Sequence, residues 1–335
     1  MASTSGFGSD ERDGVSLTNL DQALFPGADA TKRDLVDYLD AMAGPIIAGL
    51  RDRPLSVIRV LRGQDPFMQK NLPKYAPPWI KSVTLWAEAS RREVKYALCD
   101  DRRTLMWFAN QRAVEYHPAL IKTERWDRQT HLILDIDPPA AGDSSGPAGS
   151  AGSSAGSFQL AVRAARLARR ALDDIGLEGV AKTSGAKGLH VFVPLDAEPS
   201  IEDVAAATRA LAARAAALDP GLATTAFIRE DRGGRVFIDS TRAGGATVVA
   251  AYSPRVRPGA PVSFPVQWEQ LDHVVPADFT LRTAVRLADG RDPWAELMPA
   301  PQSLPAELIA EGHAIPIARV QAMHEGKRRA RARRE

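Results

Sequence analysis

The segment His131-Leu-Ile-Leu-Asp-Ile-Asp-Pro-Pro139 places two carboxylates at the end of a strongly apolar run. In a β-strand, residues i and i+2 project from the same face, so Asp135 and Asp137 point in the same direction. Two like charges this close repel each other unless a cation lies between them. Oxygen-rich carboxylate sites suit Mg²⁺ or Mn²⁺, so the segment predicts a buried strand that ends in a metal site. A polar strand end that turns into a loop is the alternative.

The composition is that of an ordinary globular chain. Its 335 residues, 44% of them hydrophobic, are enough for one large or two medium domains. No apolar run approaches the roughly 20 residues that span a bilayer, and the first ten residues lack the features of a secretory signal, so no membrane partner is expected. Cys99 is the only cysteine, which excludes an intrachain disulfide and fits a cytoplasmic location.

Positive charge is concentrated near the C-terminus. Residues 327–334 carry six positive charges, and removing these from the net charge of +2 leaves −4 on the rest of the chain. Such a tail is typical of a disordered segment with weak attraction to nucleic acid. A nucleic-acid site in the rest of the chain therefore requires local clustering of Lys and Arg.

The sequence pattern alternates between helices and strands, which predicts a mixed α/β or α+β fold. Helices are predicted over residues 32–50, 160–175 and 201–218, and strands over residues 54–61, 180–182, 189–195, 235–239 and 247–251. Residues 140–157 contain only Ala, Gly, Ser, one Pro and one Asp. This composition predicts a flexible insertion within one domain, and a linker between two domains is the alternative.

A glycine-containing turn lies within Lys182-Thr-Ser-Gly-Ala-Lys-Gly-Leu-His-Val-Phe-Val-Pro194. Its glycines, Gly185 and Gly188, allow backbone N–H groups to converge on an anion. Further donors come from the side chains of Ser184, Lys187 and His190. The order of residues is not that of a Walker loop. The turn is either a phosphate-binding element or a simple hairpin.

A third carboxylate, Asp239, ends the predicted strand over residues 235–239. A two-metal site for phosphoryl transfer needs at least three carboxylates, because each ion must be neutralised while the reacting oxygens stay accessible. The acidic residues 230–231 are alternatives, although their basic neighbours favour a solvated turn. Arg255 and Arg257 follow at i and i+2, and their planar guanidinium groups suit phosphate oxygens.

In their order and spacing, these motifs resemble the polymerase domain of bacterial ligase D, within the archaeo-eukaryotic primase superfamily. The resemblance covers about residues 14–300. The segments that carry the resemblance are Val15-Ser-Leu-Thr-Asn19, Arg53-Pro54, Gln64-Asp-Pro-Phe-Met-Gln-Lys70, Glu115-Tyr-His-Pro118, Asp135-Ile-Asp137, Ser184-Gly-Ala-Lys-Gly-Leu-His190, Asp239, Tyr252-Ser-Pro-Arg255 and Ala260-Pro-Val-Ser-Phe-Pro-Val-Gln-Trp268.

This resemblance implies a primase-like catalytic sheet with an RRM-like core, flanked by helices and an N-terminal α/β module. Residues 1–13 are then predicted to be a disordered N-terminus, and residues 301–335 a C-terminal extension with the basic tail.

The resemblance implies a template-directed nucleotidyltransferase that fills short gaps or extends primers at DNA breaks, using ribonucleotides or deoxyribonucleotides. The implied ligands of two Mn²⁺ or Mg²⁺ ions are Asp135, Asp137 and Asp239, and Asp239 would also help to activate the primer 3′-hydroxyl. The implied nucleotide-binding residues are Ser184, Gly185, Lys187, Gly188, His190, His117, Arg255 and Arg257. The implied DNA contacts are Asn19, Lys32, Arg59, Arg62, Phe67 and Lys70, with Asn19 and Lys32 at a 5′-phosphate.

Three positions differ from the family's pattern. Gln22 stands where relatives carry lysine, Met68 where they often have a second aromatic residue, and Ser240-Thr-Arg-Ala243 where they show a Gln-Asn pair. We expect differences in 5′-phosphate recognition, template stacking and ribose contacts. Because no ligase or phosphoesterase module follows, we expect a stand-alone, nucleoid-associated bacterial member. Separate ligase and end-binding proteins of non-homologous end joining are candidate partners.

Two other functions compete with this one. Haloacid-dehalogenase-type phosphatases also carry Asp-x-Asp at the end of an apolar strand, but their motif continues with a hydroxyl residue where this chain has Pro139. That alternative leaves the glycine-containing turn and Asp239 without a role. The non-enzymatic alternative is a DNA-end-binding or RNA-binding module, in which three carboxylates near a polyanion would hinder binding.

Overall fold

The structure, a computed structural model, describes residues 10–27, 30–87, 92–139, 154–196, 198–243 and 246–317. These residues form two large, mostly antiparallel sheets, two two-stranded sheets (β1–β2 and β8–β9) and eight α-helices. The strands are β1 (Glu11–Arg12), β2 (Val15–Ser16), β3 (Leu55–Arg59), β4 (Phe67–Gln69), β5 (Ser82–Ala87), β6 (Arg92–Ala97), β7 (Ala113–Pro118), β8 (Ile121–Lys122), β9 (Arg125–Gln129), β10 (His131–Asp137), β11 (Val180–Thr183), β12 (Leu189–Pro194), β13 (Ala223–Thr224), β14 (Val236–Asp239) and β15 (Pro265–Val266). The helices are α1 (Lys32–Ala41), α2 (Ala43–Leu50), α3 (Arg102–Asn110), α4 (Ser154–Asp173), α5 (Ile201–Leu218), α6 (Ala284–Ala288), α7 (Pro293–Leu297) and α8 (Ala306–Ala314), with 3₁₀ helices at Arg229–Arg232, Trp268–His273 and Pro276–Asp278. These elements confirm the predicted α+β class. No helix in the described ranges is long and apolar enough to cross a membrane.

The larger sheet has six strands in the order β13–β14–β10–β12–β11–β15, which places β10 near its centre. Every pairing is antiparallel except that of β13 with β14. On one face of β10, Leu132, Leu134 and Ile136 are fully buried in the main core, where α4 and α5 cover the sheet. The opposite face carries Asp135 and Asp137. The apolar face of β10 thus packs into the core, while the face that carries Asp135 and Asp137 lies at the edge of the core.

The second sheet has the strand order β4–β3–β6–β5, and β7 also pairs with β3. Helices α1, α2 and α3 pack against one another, and α3 also contacts β7 of this sheet. Sequence patterning predicted one helix over residues 32–50, and the structure instead divides this segment at Met42. A continuous helix would drive the ring of Pro45 against the carbonyl of residue 41, whereas a new start at Ala43 puts Pro45 in the first turn, where its missing N–H is tolerated.

Other predicted boundaries also differ from the structure. Helix α4 begins at Ser154, so the last four residues of the predicted insertion are helical, and Ser157 is buried. Residues 140–153 lie outside the described ranges. The predicted strand at 247–251 is not a regular strand in the structure: Thr247 forms an isolated bridge to Ala119, and the N–H groups of Val248 and Ala250 donate to the carbonyl oxygens of Pro118 and Tyr116 on β7. The predicted disorder up to residue 13 is wrong for Glu11–Arg12, which form β1 and pair with β2.

The C-terminal part of the described chain packs on the larger sheet's helical layer. Helix α8 lies against α5, and its Gly312 is so close that a Cβ there would lie 1.9 Å from the carbonyl oxygen of Ala206. Arg214 on α5 pairs with Glu311 on α8. Residues 306–314 of the predicted extension are therefore packed against the domain. The basic tail at 327–334 lies outside the described residues.

Candidate nucleotidyl-transfer site

Strand register brings four polar side chains into one row across the larger sheet. Asp135 on β10 is directly opposite Asp239 on β14 and His190 on β12, and His190 is opposite Lys182 on β11. Directly paired residues project from the same face of a sheet. Asp137, two residues after Asp135, lies on that face as well. The three predicted metal ligands are therefore neighbours, although more than 100 residues separate Asp135 from Asp239 in the sequence.

Asp135 contacts a basic side chain through each of its two carboxylate oxygens. Its Oδ1 lies 3.3 Å from His190 Nε2, and its Oδ2 lies 2.9 Å from an Nη atom of Arg242. Burial acts to raise the pKa of Asp135, but the His190 and Arg242 contacts outweigh it and hold the pKa well below its usual range. Asp135 is thus an ionised carboxylate within the core.

Asp137 has the opposite electrostatic environment. Burial raises its pKa, and the negative charges of Asp135 and Asp239 raise it further. Asp239 binds the backbone N–H of Thr241 through Oδ1 at 2.8 Å, and its Oδ2 lies 3.6 Å from Arg242 Nε. The repulsion that Asp137 experiences indicates that the cluster is short of positive charge.

This donor set fits a hard divalent cation, because it offers carboxylate oxygens and excess negative charge at one point. Within the described ranges, however, no three His, Cys, Asp or Glu side chains are arranged as a metal site. The Arg242 guanidinium contacts both Asp135 and Asp239 and supplies the compensating charge. Arg242 lies in the segment Ser240-Thr-Arg-Ala243, where the sequence predicts a difference in ribose contacts.

The turn between β11 and β12 lies beside this row. Gly185 has a φ of +67°, and a Cβ there would lie 2.6 Å from Arg255 Cγ, while a Cβ on Gly188 would lie 2.2 Å from the carbonyl oxygen of Ile136. Both positions therefore require glycine. The N–H groups of Ala186 and Gly188 donate to Ser184 Oγ at 3.3 and 3.2 Å. The Ser184 hydroxyl thus accepts both N–H groups in this structure, and their convergence on an anion stays a prediction.

Glu115 on β7 connects the second sheet to this turn. Its carboxylate lies 2.9 Å from His117 Nε2 and 3.0 Å from Arg255 Nε, and it accepts the N–H of Val256 at 2.9 Å. Arg255 in turn donates to the carbonyl oxygen of Ser184. No role was predicted for Glu115 from the sequence, although its i, i+2 spacing to His117 places both side chains on one face of β7.

Most of the predicted nucleotide-binding residues share one cleft. A cavity of 460 Å³ is lined by Met68, Lys70, His117, Asp135, Asp137, Ser184, Ala186, Lys187, His190, Arg242, Ala246, Thr247, Val248, Val249, Arg255 and Arg257. A second cavity of 720 Å³ adjoins it, shares Asp137, Lys187 and Arg257, and adds Arg229 and Arg232. Asp135 and Asp137 thus face open space whose rim is rich in arginine and lysine, which is the local clustering that a polyanion site requires. Together with Asp239 they form the acidic row of the site.

The predicted DNA contacts differ in their accessibility. Arg62, Phe67 and Lys70 are exposed near β4. Arg59 is buried and donates to Gln69, Tyr75 and the Gln111 carbonyl. Asn19 is exposed with a φ of +52°. Lys32 is only 1% exposed, and its ammonium donates to the carbonyl of Thr18 and to Asn110.

The fold and the site together define a primase-polymerase class of protein, and comparisons with known proteins identify the family. The LigD primase-polymerase domain family matches residues 31–294. This protein belongs to the LigD primase-polymerase domain family. That membership favours a polymerase-type domain over the phosphatase alternative.

Individual proteins that are similar to this chain belong to the same group. The bifunctional non-homologous end joining protein LigD of Bacillus subtilis is 29% identical over 301 residues, which cover 88% of this chain and 46% of that protein. The multifunctional LigD of Mycobacterium tuberculosis strain H37Rv is 32% identical over 283 residues, 80% of this chain and 34% of that protein. The chain therefore spans less than half of these relatives. The solved polymerase domain of Mycobacterium tuberculosis ligase D in complex with DNA superposes with a TM-score of 0.73 at 28% identity, covering 84% of this chain and 97% of that one.

We predict that Glu115 contributes acid-sensitive stability. Burial opposes ionisation, but the His117 hydrogen bond and the charge of Arg255 lower the pKa of Glu115 from 4.5 to about 2. Its contribution of about 3 kcal/mol is therefore complete above about pH 4.5 and is lost as the pH falls towards 2. The free energies of unfolding of the parent and of Glu115→Gln, measured with urea, should therefore become equal as the pH falls from about 4.5 towards 2. Glu124→Gln, at an exposed position, should show no such convergence, and a parent–Glu115→Gln difference that stays constant with pH would contradict the assignment.

We also predict that Arg242 stabilises the metal-free protein. In EDTA, Arg242→Gln should lower the free energy of unfolding by about 1 kcal/mol, a value reduced for the partial exposure of the side chain. The exposed pair Arg291–Glu296 provides the control, since Arg291→Gln should change stability by less than half as much. Equal effects of the two substitutions would show that Arg242 does not act as the counter-ion of the acidic row.

Proposed function

We propose that this protein is a template-directed nucleotidyltransferase that extends a primer strand at a gap or break in DNA. One observation carries the proposal: Asp135 and Asp137 face the same 460 Å³ cleft as the polar groups of the β11–β12 turn, and Asp239 is paired directly with Asp135 on the neighbouring strand. Phosphoryl transfer between polyanions needs this combination, because negative ligands must hold cations while positive side chains hold the phosphates. The family membership supports the same reaction class.

The incoming triphosphate is assigned to the basic side of the cleft. In this proposal, Ser184, Lys187, His190 and Arg255 bind its oxygens, His117 lies beside the nucleotide, and Arg257 contributes charge at the exposed rim. Gly185 and Gly188 allow the turn to lie against β10 and Arg255 without a steric clash. Glu115 keeps His117 and Arg255 in place through direct contacts. The phosphates are thereby held next to the acidic row.

The acidic row is assigned to metal binding and to the primer. Two Mn²⁺ or Mg²⁺ ions held by Asp135, Asp137 and Asp239 would neutralise charge on the attacking and departing oxygens. Asp239 Oδ1 is occupied by the Thr241 N–H, so Oδ2 is the atom that we assign to the proton of the primer 3′-hydroxyl. Asp135 stays ionised because of His190 and Arg242, which keeps it available as a ligand.

DNA is assigned to the surface around β4 and to the N-terminal turn. Phe67 offers an exposed ring for base stacking, and Lys70 and Arg62 offer charge for the phosphate backbone. Because Lys32 is buried under the Thr18 carbonyl, we place the direct 5′-phosphate contact on Asn19 and give Lys32 the role of holding this turn. Separate ligase and end-binding proteins are the proposed partners at bacterial nucleoid DNA.

We expect Asp137→Ala to abolish primer extension on a gapped duplex with Mn²⁺, by about two orders of magnitude or more, since one carboxylate of the metal-binding set is lost. Asp127→Ala, at an exposed position on β9, is the matched control and should extend normally. Unchanged extension by Asp137→Ala would refute the site. A parent protein that binds gapped DNA and extends no primer would instead establish the non-catalytic end-binding alternative.

A second experiment tests sugar use and 5′-phosphate recognition. Across a one-nucleotide gap, we expect incorporation of both NTPs and dNTPs, and faster incorporation when the downstream strand carries a 5′-phosphate. Asn19→Ala should remove the advantage of the 5′-phosphate and leave extension on the unphosphorylated gap unchanged. Equal rates with and without the phosphate in the parent would show that the turn containing Asn19 does not recognise it.

A further inference from the structure

Lys182 is a fully buried cation for which the proposed function has no role. Its ammonium Nζ lies 2.9 Å from His190 Nδ1, 2.6 Å from Ser263 Oγ and 5.5 Å from the ring centroid of Phe192. Lys182 and His190 are directly paired across β11 and β12, so the contact is fixed by strand register. A buried ammonium is costly unless its hydrogen bonds are satisfied, which requires a reason for its presence here.

The hydrogen bonds around Lys182 have only one consistent direction. The Ser263 hydroxyl donates to the carbonyl of Thr183 at 2.6 Å, so towards Lys182 it accepts. Burial lowers the pKa of Lys182 well below its usual range, but its N–H groups can donate to both neighbours, Ser263 Oγ and His190 Nδ1, only where Nδ1 is unprotonated. The proton of the neutral imidazole must then lie on Nε2.

The other side of the ring requires the same arrangement. His190 Nε2 lies 3.3 Å from Asp135 Oδ1, and an ionised carboxylate is an acceptor only. An imidazole with its proton on Nδ1 would direct the Nε2 lone pair at this oxygen and would leave the Lys182 donor without an acceptor. Both neighbours of His190 therefore favour the Nε2–H tautomer, and the sheet holds all three side chains in register.

We propose that Lys182 is a positioning residue that fixes His190 as the Nε2–H tautomer, so that the ring always presents a hydrogen-bond donor to anions in the cleft. The effect on the bound nucleotide rests on the proposed function, in which His190 binds the triphosphate. The tautomer itself is a property of the protein without ligand. The two claims can therefore be tested separately.

The tautomer is measured by long-range ¹H–¹⁵N spectra of ¹⁵N-histidine-labelled protein at pH 7, in EDTA and without nucleotide. The His190 signals are those missing from His190→Asn. We expect a protonated Nε2 and an unprotonated Nδ1 in the parent and in Lys182→Gln, whose amide retains an N–H donor. In Lys182→Met, which has no donor, the two nitrogens should shift towards each other as both tautomers become populated. A protonated Nδ1 in the parent overturns the proposal, even if the variants fail to fold, and so does a Lys182→Met spectrum identical to that of the parent.

Primer extension adds a readout that a merely structural role would not move. Lys182→Met should raise the nucleotide KM by roughly tenfold, as expected for the loss of one hydrogen bond to a charged group, with a smaller change in kcat. The nucleotide KM of Lys182→Gln should be close to that of the parent. A loss confined to kcat would indicate only a smaller folded fraction and would overturn the positioning role. If the parent extends no primer, the proposed function fails, and the spectra still decide the tautomer.

Discussion

The antiparallel register of β10 with its two neighbours is the constraint on which the site depends. This register places Asp239, Asp135, His190 and Lys182 in one row, so that two carboxylates, an imidazole and a lysine side chain follow one another across four adjacent strands. A shift of one residue would turn these side chains into the helical core. The apolar face of β10, fully buried under α4 and α5, makes such a shift prohibitively costly.

The concentration of charge around β10 explains the arginines and histidines that surround it. Three carboxylates on one face repel one another, and Arg242 and the basic rim of the cleft compensate part of this charge. Glu115 on the second sheet supplies negative charge to Arg255 and also contacts His117. The cleft between the two sheets therefore contains both signs of charge at short range.

Much of the fold and part of the site could be predicted from local patterns. The apolar run before Asp135, the helix over Ile201–Leu218 and the glycine-containing turn all follow from short-range periodicity and composition. Patterning failed where a single residue decided the outcome, as at Pro45, which ends one helix and begins another. It also missed Glu115, Lys182 and Arg242, whose importance lies in contacts with residues between 8 and 141 positions away.

The sequence by itself determined that this protein has a buried strand ending in Asp135 and Asp137, a turn that contains Gly185 and Gly188, and the motif order of its family, because these depend on neighbours along the chain. Only the tertiary structure decided which charges meet. The contacts of Arg242 with Asp135, of Glu115 with Arg255 and of Lys182 with His190 arise from strand pairing and sheet packing. Electrostatic energy depends on distance in space, and separation in the sequence does not determine it.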